Sequence, residues 1–327
     1  MKVFITGASG FIGGNLVRRL VDKGYTVKAL LRPGSKISTT LLNEVEIVEG
    51  DILDFDTVLR GIKGCGWVFH CAAAYKFWAR DPRDIYKTNV DGTDNVLLAA
   101  NVEGVERIVY TSTVGAIGIP EIGLGNECTP LDPHQVVGNY KRSKYLAEKI
   151  ALKKAISGIP IVVVNPTAPV GPWDVKPTPT GKIILDFLKE KMPAYVQTGL
   201  NFVDVSDVAE GHILAAIKGK IGERYILGNQ NMSLLELFKN LQELSGRKRP
   251  RLQIPHWLAM GVGQIDDVIE NKILGREPKI PLEGIKMAQS HMYVSSQKAV
   301  DELGFPQNPV NEALYQAIQW FRDKGYY

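Results

Sequence analysis

Apolar and polar positions divide the chain into two stretches of different rhythm. Up to Pro166, short continuous apolar runs alternate with segments whose apolar residues recur at helical spacing. "KVFITG" (2–7) reads as a buried strand, and "GFIGGNLVRRLVDKG" (10–24) as a helix that ends on Gly24. Strands follow at 26–32 and 45–51. A short helix capped by Asp54 comes next (54–64), then a strand at 67–73. A long helix entered through Pro82 (81–104) leads to a strand at 107–113, and a helix at 139–158 leads to a strand at 159–166. Strands that are apolar on both faces belong to a parallel sheet covered by helices on both sides. The expected fold class is therefore α/β, a doubly wound parallel sheet of Rossmann type with a smaller mixed α/β substrate region. Ligands of such sheets lie at the carboxyl ends of the strands.

Beyond Pro166 the alternation breaks. "GPWDVKPTPTGK" (171–182) is rich in proline, lacks periodicity and reads as a long loop. A strand and helix at 202–219, a strand at 223–229, and a helix at 233–246 with a Ser233–Glu236 capping box follow. Two further helices are expected near 255–273 and 309–324. The organisation expected is a dinucleotide-binding domain of residues 1–165 and 200–228, interleaved with a substrate-binding region of 166–199 and 229–327.

Composition narrows this only slightly. The 327 residues are 45% hydrophobic and 23% charged with a net charge of +4, ordinary values for a soluble domain and without a nucleic-acid footprint. The one basic cluster, "GRKRPR" (246–251), reads as a solvated loop. Cys65, Cys71 and Cys128 form no CxxC pair, as expected for reduced thiols in the cytoplasm. The N-terminus has no signal-peptide core, and no apolar run is long enough to span a bilayer. His70, His134, His212, His256 and His291 show no metal spacing, so no metal is expected, and His70 reads as a core residue.

The candidate chemistry lies at the strand ends. "TGASGFIG" places Gly7, Gly10 and Gly13 between a strand and a helix, where a pyrophosphate can rest on the helix N-terminus. An NAD site would place an acidic residue at the end of the second strand. This chain places Arg32 there, suited to the 2′-phosphate of NADP(H), although NAD(H) stays an alternative. Asp51, ending the third strand, is placed to meet the adenine. Tyr140 and Lys144 stand one turn apart on one helix face, and "YTST" brings hydroxyls at Ser112 and Thr113. A phenol, a nearby ammonium and a hydroxyl make a proton-transfer device.

These motifs, in this order, resemble the extended short-chain dehydrogenase/reductases of the NAD-dependent epimerase/dehydratase type. "NVDGT" (89–93), "NPTAPVGP" (165–172), "FVDVSDVA" (202–209) and "KAVDELGF" (298–305) extend the match over nearly the whole chain. Within that family the sequence is most similar to hopanoid-associated sugar epimerases and dihydroflavonol 4-reductase-like proteins, through 73–90, 165–184 and 192–203. The resemblance implies Tyr140 as general acid/base, Lys144 as holder of the nicotinamide ribose, Thr113 as catalytic hydroxyl and Asn89 as support for a water. It also implies cofactor contacts from Ser9, Phe11, Ile12, Ile52, Ala72, Ala73, Thr111 and Pro166 besides those above.

For the substrate, the expected wall is Tyr75, Phe77, Trp78 and Tyr195 with Thr167 and Asn201, an aromatic lining suited to a bulky carbonyl compound. Nucleotide-sugar relatives carry arginines before "FVxVxDVA" and before the "KA" helix. Here Gly199-Leu200-Asn201 and a segment with only Lys286 and His291 stand in their place. The reading that follows is net NADPH-dependent carbonyl reduction. A sugar epimerase with tightly bound NAD(P) is the alternative, and an NADP-binding regulatory protein a second one. The segment 254–274 is expected to be a helix over the pocket; contact with anionic lipid is its other reading. In many relatives the outer faces of the segments matching 81–104 and 139–158 form a dimer bundle, so the resemblance leaves homodimer and monomer both open.

Overall fold

The strand that opens the chain lies at the centre of the sheet. β1 (Lys2–Thr6) pairs with β2 (Thr26–Leu31) on one side and β4 (Trp67–His70) on the other. Outward from these run β3 (Val45–Glu49) and, on the opposite side, β5 (Arg107–Thr111), β6 (Ile161–Pro166) and β10 (Arg224–Leu227). The order is β3-β2-β1-β4-β5-β6-β10, all parallel, and it reverses direction between β1 and β4. A crevice for a ligand belongs at the carboxyl ends of those two strands. The computed structural model describes residues 1–35, 43–75, 78–79, 81–134, 136–278, 280 and 282–327. Phe77 lies outside them.

Each face of the sheet carries its own apolar layer. α1 (Phe11–Asp22), α7 (Val205–Lys218) and α11 (Gln297–Leu303) bury Leu16, Leu20, Ile213 and Leu303 against Val3, Ile5, Val109 and Val164. α2 (Phe55–Ile62), α4 (Gly92–Val102) and α5 (Asn139–Ile156) bury Val58, Val96, Leu97 and Ala151 against Phe4, Val68, Ile108 and Val163. Neighbouring residues of one strand alternate between the two layers, the consequence of a side-chain period of two. A third layer gathers around β7 (Ala168–Val170), β9 (Gly199–Asp204) and β11 (Gln230–Ser233), which form a small mixed sheet. There α6 (Pro179–Leu188), α8 (Leu234–Ser245) and α12 (Val310–Asp323) enclose Phe187, Phe202, Phe238 and Phe321. β8 (Ala194–Tyr195) pairs with β12 (Leu252–Gln253), and α9 (His256–Asp266) and α10 (Leu282–Met287) follow.

Several expectations need correction. The stretch 171–182 is a loop only as far as Thr178. Pro179 opens α6, because a proline in the first turn loses no helical hydrogen bond and Thr178 caps the helix by accepting from the Gly181 amide. The helix over 81–104 begins as α3 (Arg83–Tyr86), widens into a π turn at Lys87–Asp91 and continues as α4. The strands read as 67–73 and 107–113 end at His70 and Thr111; Cys71 and Ser112 each keep one more amide bond, to the Thr6 and Val164 carbonyls, and Ala72–Ala73 and Thr113 lie beyond the strands. β7, β8, β11, β12 and α10 were not expected, being short or without a periodic signal, whereas α11 is the expected "KA" helix.

Candidate active site

Between β1 and α1 the backbone turns tightly. Gly7 has φ +77, and a Cβ there would come within 2.6 Å of the Ala72 amide nitrogen. A Cβ on Gly13 would lie 2.2 Å from the Gly7 carbonyl oxygen, so glycine here sets how closely helix and strand pack. No side chain caps α1 at Gly10, and Ser9 and Gly10 are exposed, with Phe11 and Ile12 half-buried just inside. These open amides at a helix N-terminus are the donor set that a dinucleotide pyrophosphate needs, so the turn fits the group.

The residues expected to meet the adenosine lie just past β2 and β3. Arg32 is exposed just past β2, and Ser35 donates to its carbonyl at 2.9 Å. Among the described residues its guanidinium has no partner. The Asp51 carboxylate accepts from the Leu53 amide at 3.0 Å, which fixes the turn after β3. Ile52 is buried against Gly92, where a Cβ would meet its Cδ1 at 2.6 Å.

At the centre, α5 presents Tyr140 and Lys144 towards the end of β5. Lys144 is 2% exposed; its Nζ donates to the Thr111 carbonyl at 2.6 Å and lies 4.5 Å from the Tyr110 ring centroid. Burial pushes this ammonium down to about 7, against the opposing pull of Glu148 one turn further on. The Tyr140 phenol is pushed upward, first by burial and then by the neighbouring Tyr75, while a hydrogen bond with Thr113 acts in the lowering direction. Tyr75 and Tyr140 have ring centroids 4.5 Å apart. Thr113 also caps the following 3-10 turn (Val114–Ala116), accepting from the Gly115 amide at 3.1 Å. The Ser112 hydroxyl is buried and has no hydrogen-bond partner among the described residues.

Some supporting residues were expected, and others, Asn165, Glu148 and Arg224 among them, were not. Asn165 donates from Nδ2 to the Thr113 carbonyl at 2.9 Å and to Glu148 Oε2 at 2.7 Å. Glu148, 2% exposed, also pairs with Arg224 at 2.9 Å. Thr111 shares a 2.9 Å hydrogen bond with His212 Nε2, and His212 Nδ1 lies 2.7 Å from the Val208 carbonyl. That carbonyl can only accept, so Nδ1 carries the ring proton and the Thr111 hydroxyl donates to Nε2. Asn89 sits in the π turn. Its Oδ1 accepts from the Ala74 amide at 2.7 Å, and its Nδ2 donates to Ser143 Oγ at 2.9 Å, the residue before Lys144. Ala72 donates to Thr6 Oγ1 at 3.2 Å, Ala73 follows it in the same loop, and Pro166 ends β6 opposite Leu227. The only sequence signal for Asn165 was its place in "NPTAPVGP"; Glu148 and Arg224 carried none.

The substrate-side residues are less gathered. Trp78 donates from Nε1 to Asn271 Oδ1 at 3.0 Å, which ties the loop after β4 to the segment after α9. Thr167 is half-buried and donates from its amide to the Leu227 carbonyl at 3.1 Å. Asn201 is 2% exposed and bonded through both side-chain ends: Oδ1 accepts from the Asn229 amide at 2.8 Å, and Nδ2 donates to Asn231 Oδ1 at 2.9 Å. Tyr195 packs edge-on against Phe238 and lines a cleft of about 530 Å³ with Arg247, Lys248, Arg249 and Arg251. His70 is a neutral core residue, bonded to Thr6 and Thr93 and pushed down to about 3 by burial.

Known proteins share this arrangement. The sequence profile of the NAD dependent epimerase/dehydratase family matches residues 3–228. A protein of Synechocystis, provisionally named a dihydroflavonol 4-reductase, is 44% identical over 99% of this chain and 95% of its own length. The sterol demethylase protein B of Methylococcus capsulatus is 33% identical over 99% of both chains. Among solved structures, that of gox2253 is 42% identical with a TM-score of 0.88, covering 99% of this chain and 98% of the other.

Proposed function

The chain belongs to the NAD-dependent epimerase/dehydratase family and is an NAD(P)-dependent enzyme of that oxidoreductase class; from this premise we propose that it reduces a carbonyl of a bulky small molecule with NADPH. The observation that carries the reading is Arg32: an exposed guanidinium at the end of β2 without an ion-pair partner among the described residues, where a 2′-phosphate would need a cation. An epimerase re-reduces its substrate on the same cofactor and gains nothing from the NADPH pool. The dihydroflavonol 4-reductase name of a 44% identical relative supports the same direction.

In this reading Gly7, Gly10 and Gly13 seat the pyrophosphate, Arg32 takes the 2′-phosphate, and Lys144 holds the nicotinamide ribose. A bound nicotinamide supplies the hydride. Thr113 donates to the carbonyl oxygen and holds it, and Tyr140 gives that oxygen its phenolic proton as negative charge develops. Asn165 and Glu148 keep the Thr113 backbone and α5 in register. Tyr75, Trp78 and Thr167 form the substrate side. The cofactor half is then 1–165 and 200–228, and the substrate half 166–199 and 229–327.

A screen of ketones, aldehydes and nucleotide sugars with both cofactors and mass detection tests the proposal. Alcohol products formed at the expense of NADPH support it. Isomerised nucleotide sugars without net cofactor oxidation would replace it with epimerisation.

A further inference from the structure

α9 and the π turn that continues it (Asp267–Ile273) carry their polarity inside out. A helix on a water-soluble surface buries its apolar stripe and exposes its charges. Here Trp257 is 73% exposed, Ile265 63% and Ile273 70%, with Leu258, Val262 and Ile269 exposed between them. The carboxylates are less exposed than the apolar stripe, Asp266 and Asp267 being half-buried. Glu270 is buried, Asp266 accepts from the Ile280 amide at 2.8 Å, and Asp267 accepts from Asn271 at 3.1 Å. Single exposed apolar residues need no explanation, but a continuous stripe along a helix marks a contact surface.

Just before this helix, Arg247, Lys248, Arg249 and Arg251 stand within five residues. Among the described residues none of the four is in an ion pair; the Glu190 carboxylate accepts from the Lys248 amide at 3.4 Å. From Arg251 to Trp257 the chain can span at most about 20 Å. Lys272 and Arg276 are exposed at the far end of the stripe, with Glu277 as counter-charge. The stripe is thus flanked by cations at both ends, with an indole at its first turn.

The inner side of the same segment reaches the site. Gly263 has no room for a Cβ, which would meet Ile285 Cδ1 of α10 at 2.5 Å. Glu283 of α10 accepts from the amide of Asn139, the residue before Tyr140, at 3.3 Å. The Trp78–Asn271 bond joins the loop after β4 to it as well.

We propose that this face docks on the surface of an anionic phospholipid bilayer, with the apolar stripe in the headgroup–acyl boundary and residues 247–251 on the lipid phosphates. The carbonyl substrate then enters from the membrane and is an amphiphilic lipid, a clause that rests on the reductase reading above. Among the described residues no helix is long and apolar enough to cross a membrane, so the contact is peripheral. Charge favours lipid over a second copy of the chain, because a two-fold pairing through this face would bring like-charged segments towards each other.

Co-sedimentation with phosphatidylcholine vesicles, with and without phosphatidylglycerol and at low and high salt, tests the proposal. Binding is expected only with phosphatidylglycerol and is weakened by salt. Arg247→Gln with Arg251→Gln should lower vesicle partitioning about thirtyfold, at roughly a factor of five per cation. Ile265→Ser with Ile269→Ser should lower it as well, while circular dichroism shows the fold retained. No binding at low salt, or binding untouched by both variants, overturns the proposal. So does a concentration-dependent dimer that the Ile265→Ser/Ile269→Ser variant dissolves, which assigns the face to a second copy. Vesicle binding is read without turnover, so its failure leaves the reductase reading standing, and the cofactor screen tests that reading independently.

Discussion

The Lys144 side chain donates to the backbone carbonyl of Thr111 at 2.6 Å, joining the helix that carries Tyr140 to the strand whose end leads into Thr113. One buried cation therefore fixes the distance between the proposed proton donor and the proposed oxyanion holder. It does so at an energetic cost, because burial drives its proton affinity down to about 7. Natural proteins tolerate such a group where chemistry needs it.

Tyr140→Phe removes only the phenolic proton. Turnover should fall by about 10²–10⁴, the usual contribution of a positioned acid, with cofactor affinity nearly unchanged. Lys144→Ala should damage both turnover and cofactor binding, since it also releases the Thr111 carbonyl. Steady-state kinetics with cofactor titration separates the two. A Phe variant with most of its activity would require another acid.

The neighbouring hydroxyls divide cleanly. Thr113→Val should slow turnover by about 10²–10³, as for loss of one oxyanion donor. Ser112→Ala removes a buried hydroxyl that has no partner among the described residues, so activity should stay and stability should shift by no more than about 1 kcal/mol. The reverse pattern would move the catalytic role to Ser112.

Cofactor preference tests Arg32 directly. Arg32→Ala should cost about 1–3 kcal/mol of NADPH affinity, the range of a charge-assisted hydrogen bond, and little NADH affinity. Fluorescence titration of the parent and variant measures it. Equal affinity of the parent for both cofactors would remove the reason for naming NADPH.

Acid stability follows from two buried imidazoles. Burial lowers His70 to about 3 and His212 to about 4 from an ordinary 6.5. A base whose folded pKa is depressed binds fewer protons folded than unfolded across that window, so stability falls as pH drops below 6.5. Each histidine contributes a slope of about 1.4 kcal/mol per pH unit there. Denaturant melts between pH 6.5 and 4.5 should show this slope, and His212→Asn should flatten it by about one proton's worth. An unchanged slope would mean that His212 already titrates normally.

The sheet was legible because its strands are continuous apolar runs and the helices between them have a helical period. The glycine turn and the Tyr140/Lys144 pair were legible because they are local in sequence. What holds them together was not. The Asn165–Glu148–Arg224 chain joins residues up to 76 apart, and no local pattern announces such a contact. The Lys144–Thr111 bond spans 33 positions and ends on a backbone carbonyl, which carries no residue signature. α6 was hidden by prolines that its first turn accommodates; the helix of α9 was legible, but the exposure of its apolar stripe was not, because such a stripe reads as buried. Tyr195, expected beside Tyr75 in the pocket wall, packs on Phe238 and lines the basic cleft.

Net carbonyl reduction by NADPH is tested most directly by the fate of the hydride. The enzyme is incubated with a carbonyl substrate from the screen and NADPH deuterated at the transferred position, and product and cofactor are quantified by mass spectrometry. The account predicts one deuterium on the new carbinol carbon and one NADP⁺ released per alcohol formed. An inverted sugar nucleotide appearing with no net NADPH oxidation would contradict it.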